Sequence, residues 1–189
     1  MTIRTHAHSA VAATQLMIAS TALVSLSLPA MAQDSTWIGN ASSNYNSGQN
    51  WTQGVPTGAA FFDDTALRTA VAVTALTTVG GWTFNTTNPF TLDLQANLIF
   101  NGAGIATNGA NVSIRNVANV TNVLSFTGNS TAGNADITNN ANFNFQGNST
   151  AGSAHISNQF PGGQLGFFNN STAGNARIDN VGKIGRAHV

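Results

Sequence analysis

The sequence contains no cysteine and no glutamate, and its one lysine is Lys183. Without cysteine there is no disulfide framework, no thiol nucleophile and no thiolate metal centre. Without glutamate, paired-carboxylate chemistry must draw on six aspartates spread along the whole chain. Charged residues make up 6% of the sequence, against roughly 25% in an ordinary soluble domain. Between Gln33 and Gly182 only Arg68, Arg115 and Arg177 oppose those aspartates, so the basic footprint of a nucleic-acid binder is missing. His155 is the single histidine of that stretch, which with no cysteine and no glutamate leaves zinc one imidazole and scattered aspartates. No cofactor is expected. Polarity comes instead from Asn, Thr, Ser and Gly, residues of turns and β-structure.

The first 32 residues read as a secretory signal peptide. A polar start holds Arg4, His6 and His8, and Leu16 to Leu28 forms a 13-residue apolar run. Ala30 and Ala32 then supply an A-x-A site that places cleavage between Ala32 and Gln33. The run is too short to span a bilayer of about 30 Å as a helix. An exported chain without cysteine depends on packing and hydrogen bonds alone, and cannot be crosslinked while still unfolded. At the other end, residues 183–189 are expected to be non-native. Ile184 to Val189 is the translation of a sequencing-library adapter (ATC GGA AGA GCA CAC GTC), so the natural sequence is expected to continue differently from about Gly182 or Lys183.

The body of the chain repeats itself. "NSTAGNADI" (Asn129 to Ile137) returns as "NSTAGSAHI" (Asn148 to Ile156) and "NSTAGNARI" (Asn170 to Ile178), at steps of 19 and 22 residues. Each copy is preceded by a φ-x-φ pair ending in Phe126, Phe145 or Phe167, and continues as Ala-x-Ile-x-Asn. The second elements are Ala135, Ile137 and Asn139; Ala154, Ile156 and Asn158; Ala176, Ile178 and Asn180. Both elements have period two, the mark of short strands with one face buried. S-T-A-G between them is a turn composition. Two short strands in each unit of ~20 residues predict an all-β parallel solenoid in which like residues stack at about 4.8 Å. The Asn column is expected to form an amide ladder at a corner. A weaker copy spans Leu98-Ile99-Phe100 and Val112 to Asn116, and "GGWTFN" and "FTLDL" also read as strands, placing the solenoid at 70–182. Residues 33–69 hold Trp37, Tyr45, Trp51, Phe61 and Phe62 and read as an aromatic cap over the open end. The competing reading is an aromatic sugar-binding platform.

The signal peptide, the "TWIGN…YNSGQNW…GVP" block and the "F-x-x-NSTAGNAxIxN" repeats together resemble the passenger region of bacterial autotransporters, the type V secretion proteins, with their autotransporter-associated β-strand repeats. The resemblance covers nearly all of Thr36 to Asn180. It implies a right-handed parallel β-helix, displayed on the cell surface at the outer membrane or secreted, with an adhesive or structural role. It implies as partner an outer-membrane β-barrel, its own C-terminal domain or a separate protein, and host or surface glycans as adhesion targets. No barrel-type strand series follows the repeats.

The candidate chemistry is sparse. Asp136, His155 and Arg177 occupy one slot, between Ala and Ile, that a period-two strand turns outward. They could form a small acid–base constellation, but an outward slot that accepts any soluble residue explains them more simply. Ser125, Asn144 and Gly166 fill the matching slot of the other strand. Asp63 and Asp64 are adjacent and so point apart. "GAGIATNG" (Gly102 to Gly109) lacks the Lys-Ser/Thr of a phosphate loop, and the N-x-S/T triplets reflect turn chemistry. The expectation is therefore a non-catalytic passenger. The alternative is an extracellular β-helix enzyme acting on polysaccharide, with its catalytic part downstream.

Overall fold

A computed structural model describes residues 32–117, 119–159 and 161–180, together with the backbone of Lys183–Ile184. The proposed signal peptide up to Met31 and the tail from Gly185 lie outside the described residues.

Alternation of apolar and polar residues, repeated through the chain, produces two parallel sheets that the backbone visits in turn. Strands β1 (Ser35–Thr36) and β2 (Ala59–Asp63) lead into β3 (Ala70–Val73), β4 (Thr77–Asn85), β5 (Phe90–Leu94), β6 (Leu98–Ala106) and β7 (Val112–Asn116). The repeats then contribute β8 (Val123–Phe126), β9 (Asp136–Asn139), β10 (Asn142–Phe145), β11 (His155–Asn158), β12 (Gln164–Phe167) and β13 (Arg177–Asn180), with β14 at Lys183–Ile184. One sheet runs β1-β2-β4-β6-β8-β10-β12-β14, the other β3-β5-β7-β9-β11-β13. Every pairing within them is parallel. The fold is an all-β solenoid of about seven turns, with no α-helix among the described residues. Isolated parallel bridges Gly104–Thr131, Thr131–Thr150 and Thr150–Thr172 add a narrow third side.

Repetition in sequence becomes repetition in space because the register is unshifted between copies. Phe126 pairs with Phe145 and Phe145 with Phe167, while Ile137 pairs with Ile156 and Ile156 with Ile178. The phenyl rings stack nearly parallel, with centroids 5.1 Å apart for Phe126–Phe145 and 4.9 Å for Phe145–Phe167. Phe100 extends the column at 4.7 Å from Phe126. Full burial of each such side chain contributes about 1.5–3 kcal/mol.

The turn between the two strands shows why "NSTAG" is conserved within the chain. Ser130 and Ser149 point inward and are wholly buried, as are Ala132, Ala135, Ala151 and Ala154. Asn129, Asn148 and Asn170 point out and bond amide to amide, each at 3.3 Å. Gly133, Gly152 and Gly174 have φ of 62°, 65° and 58°. A Cβ on Gly152 would also meet the carbonyl oxygen of Gly133 at 2.8 Å. Two independent constraints thus hold glycine there.

The N-terminal end is packed differently. Trp37, Tyr45 and Trp51 are buried, and Trp51 meets both of the others edge to face at 5.1 and 4.8 Å. Their polar atoms are satisfied: Trp37 Nε1 donates to Arg68 O at 2.7 Å, and Trp51 Nε1 to Tyr45 O at 2.6 Å. Burial pushes the Tyr45 phenol well above its ordinary range. Asn50, fully buried, accepts from the Ala41 and Ser42 amides at 2.8 Å each and donates to Asn44 O at 2.8 Å and Ser42 Oγ at 3.0 Å. The same segment pairs with the β3 edge through Tyr45 N to Ala72 O and Ala72 N to Ser43 O, both 2.8 Å. Burial of all three large rings rules out the sugar-platform reading for Trp37, Tyr45 and Trp51. Parallel pairing also begins before residue 70. In β2, Ala60 and Phe62 alternate inward and Phe62 stacks on Phe84 at 4.5 Å, so residues 59–63 carry the sheet as well as the cover.

Candidate functional site

Side chains that point away from the core fall into columns because the strands are in register. On the six-stranded sheet one outward column runs Thr91, Ser113, Asp136, His155, Arg177, and the other runs Asp93, Arg115, Thr138, Ser157, Asp179. Five of the chain's charged side chains and its one described histidine therefore share one face. The eight-stranded sheet from β8 to β12 presents Val123, Ser125, Asn142, Asn144, Gln164 and Gly166 instead, with no charge. Two members of that neutral slot are less open than an outward position implies. Ser125 is buried, and the Phe168 ring lies over Gly166, where a Cβ would meet it at 2.6 Å.

The charged face holds two groups of contacts. Arg115 pairs with Asp93 in adjacent strands, its Nη2 donating to Oδ2 at 2.7 Å. Further along, His155 lies between two carboxylates, Nδ1 at 3.1 Å from Asp136 Oδ1 and Nε2 at 2.8 Å from Asp179 Oδ2. Arg177 also reaches Asp179 Oδ2, at 2.8 Å. Asp136, His155 and Asp179 belong to three successive strands, β9, β11 and β13. The Asp179 and Asp136 carboxylates raise the His155 pKa above its ordinary value. In return His155, then Arg177, hold the Asp179 carboxyl below the usual range. All of these groups lie at the surface, so water and salt screen the gain.

Asp136, His155 and Arg177 are thus brought into one cluster, but Asp179 is its centre and sequence reasoning passed over it. The signal was present: the residue after each Ile faces outward by the same period-two rule, giving Thr138, Ser157 and Asp179. The cluster is poorly arranged for catalysis. Its two carboxylates engage opposite nitrogens of one ring, so they do not converge on a shared metal or proton. Among the described residues no cavity adjoins it, and no three His or Asp side chains, these included, are placed to hold a metal ion.

The repeat positions occupy the interior and its corners. Phe126, Phe145, Ala135, Ala154, Ile137 and Ile156 are buried, while Phe167, Ala176 and Ile178 in the last described turn are half-buried. Asn116 donates to Asn139 at 2.9 Å, Asn139 to Asn158 at 2.7 Å and Asn158 to Asn180 at 2.6 Å. Their amides also reach main-chain carbonyls at the corner, Asn139 to Ala141 O at 2.9 Å and Asn158 to Gly163 O at 3.2 Å. At the other end, Ala32 is exposed and Gln33 is tied in, its amide donating to Thr57 Oγ1 at 3.0 Å and its carbonyl accepting from Gly58 N at 2.8 Å. Comparison with protein-family models, curated proteins and solved structures gives no match.

Proposed function

We propose that this chain is an autotransporter passenger: an exported right-handed β-solenoid, surface-exposed or secreted, with a structural and adhesive role and no catalysis of its own. The observation that carries the reading is the pattern of what repeats. Identities are kept where a side chain points inward or shapes a turn, and vary at the outward positions 136, 155 and 177. Such a pattern suits a scaffold better than a reaction centre, whose exposed groups would be the ones kept. The "TWIGN" block and the leader-like residues 1–32 add the secretory context, and the hydrogen-bonded network includes Gln33, the residue after the proposed cleavage point. In this reading the partner is an outer-membrane β-barrel, part of the same protein or separate. The uncharged outer face of β8, β10 and β12 is where neutral host or surface glycans would meet the chain.

The test is export. An epitope-tagged chain, expressed in a Gram-negative host with its barrel, is expected to be cleaved after Ala32 and to become accessible to protease added to intact cells. Retention in the cytoplasm as an uncleaved chain would sink the proposal. A β-helix enzyme acting on polysaccharide, with its catalytic part downstream, is the second reading, and the Asp136–His155–Asp179 cluster is the one group of the described residues through which this chain would contribute to it. Turnover of an acidic or neutral polysaccharide that disappears in His155→Ala would move the conclusion to that reading.

A further inference from the structure

The dipeptide Asn-Gly occurs twice, at Asn101–Gly102 and Asn108–Gly109. It is the pair in which a side-chain amide is most open to attack by the next residue's main-chain nitrogen, because glycine has no Cβ to obstruct the approach. Both asparagines are exposed, so exposure does not distinguish them; their backbones do. Asn101 and Gly102 lie inside β6, and a Cβ on Gly102 would meet Gly80 O at 2.7 Å, so that backbone is pressed against the preceding turn of the solenoid. Asn108 and Gly109 are the central residues of a tight turn closed by Ala110 N donating to Thr107 O at 3.0 Å. Gly109 has φ +94° and nothing within 4 Å of a Cβ position. No acceptor among the described residues engages the Gly109 amide, and the Asn108 side chain is held by one exposed bond, Nδ2 to Asn85 Oδ1 at 2.9 Å.

We propose that Asn108 is the chain's site of spontaneous modification, converting from amide to aspartate and isoaspartate through a cyclic imide with Gly109. The Gly109 nitrogen loses its proton to solvent base and bonds to Asn108 Cγ. The Cγ–Nδ2 bond breaks, and the departing nitrogen takes up a proton and leaves as ammonia. Water then opens the five-membered imide. Addition at Cγ gives aspartate, and addition at the main-chain carbonyl carbon leaves the chain running through Cβ and Cγ as isoaspartate. The net change is one water consumed and one ammonia released, with no oxidation or reduction. The product adds a negative charge and removes the donor to Asn85. Asn101 is protected because the ring cannot close without lifting β6 from its neighbour.

The experiment incubates the folded chain at mildly alkaline pH, follows each site by peptide mapping for a gain of about one mass unit, and labels isoaspartate with an isoaspartyl methyltransferase. Conversion at Asn108 is expected to exceed that at Asn101 by about tenfold or more in the folded chain, and the two rates to approach each other in urea. Asn108→Gln should abolish the acidic form and Asn101→Gln should leave it. Equal or reversed rates in the folded chain, or an acidic form that persists in Asn108→Gln, would overturn the assignment.

Discussion

The two ends of the described solenoid solve the same problem in opposite ways. In the repeats, the main buried columns set like residues on like residues one turn apart: Phe on Phe with interplanar angles of 15° and 6°, Ile beside Ile, Asn donating to Asn, while Phe143 lies between Leu124 and Leu165. At the N-terminal end the ring contacts mostly join positions that are not equivalent in successive turns, the stack of Phe62 on Phe84 being the exception. Trp37, Tyr45 and Trp51 meet edge to face, Trp82 Nε1 reaches the Tyr45 hydroxyl at 3.2 Å, and Asn50 alone satisfies four partners. A repeated contact distributes stability evenly along the stack, so losing one weakens one turn and its neighbours. A unique, interlocked set concentrates it, so losing one member should open the whole end.

The sharpest way to break that contrast is Trp51→Ala, expected to cost about 3–5 kcal/mol in urea unfolding and to strip hydrogen-exchange protection from β1, β2 and β3 together. Protection lost only at residues touching the deleted ring would erase the distinction. Asn158→Ala in the repeats should cost less, about 1–3 kcal/mol, with the loss confined to β9, β11 and β13. Gly152→Ala should fall at about 1–2 kcal/mol for the left-handed backbone alone, plus the contact with Gly133 O. Gly109→Ala carries the first penalty without the second and should be milder.

The smallest effect is electrostatic and belongs to the last described turn. His155 has a raised pKa when folded, so its contribution is fully present below about 6.5, the unfolded value, and is lost as pH rises through the folded value. Asp179 has a lowered pKa, so its contribution is present above about 3.9 and is lost as pH falls through the folded value. Protection of the β13 amides, corrected for intrinsic exchange, should therefore peak in mildly acidic solution and weaken on both sides. His155→Asn should flatten the alkaline arm and also shrink the acid arm to what Arg177 alone contributes to Asp179, and high salt should shrink both arms. An NMR titration placing the His155 pKa at or below 6.5 would remove this part of the account.

The same contrast explains how much could be read from sequence. The rung was legible because its constraints are written several times over: inward Phe, Ala and Ile, the turn glycine and the corner Asn each recur at fixed offsets. The outward columns were half legible. Period two pointed to Asp136, His155 and Arg177, but Asp179 gains meaning only when β11 and β13 are laid in register. The N-terminal end was legible as composition and not as geometry. Asn50 looks like any turn asparagine until its four partners, spread over residues 41–44, are folded around it. Nor does the alternation in "AAFFD" announce by itself that β2 already belongs to the sheet, since its partner β4 lies beyond an intervening strand.

The central claim is that successive repeats lie parallel and in register, and the absence of native cysteine permits a direct test. Thr138 and Ser157 are register partners on the outer face, at about 4.8 Å between strands, inside the roughly 4.4–6.8 Å that a disulfide spans. Thr138 and His155 face the same way but are offset by two residues, at about 8 Å. Oxidation of Thr138→Cys/Ser157→Cys should close a disulfide readily, and that of Thr138→Cys/His155→Cys should not. Preferential closure of the offset pair, or equal closure of both, would contradict the register on which the columns, the ladders and the stacked rings all depend.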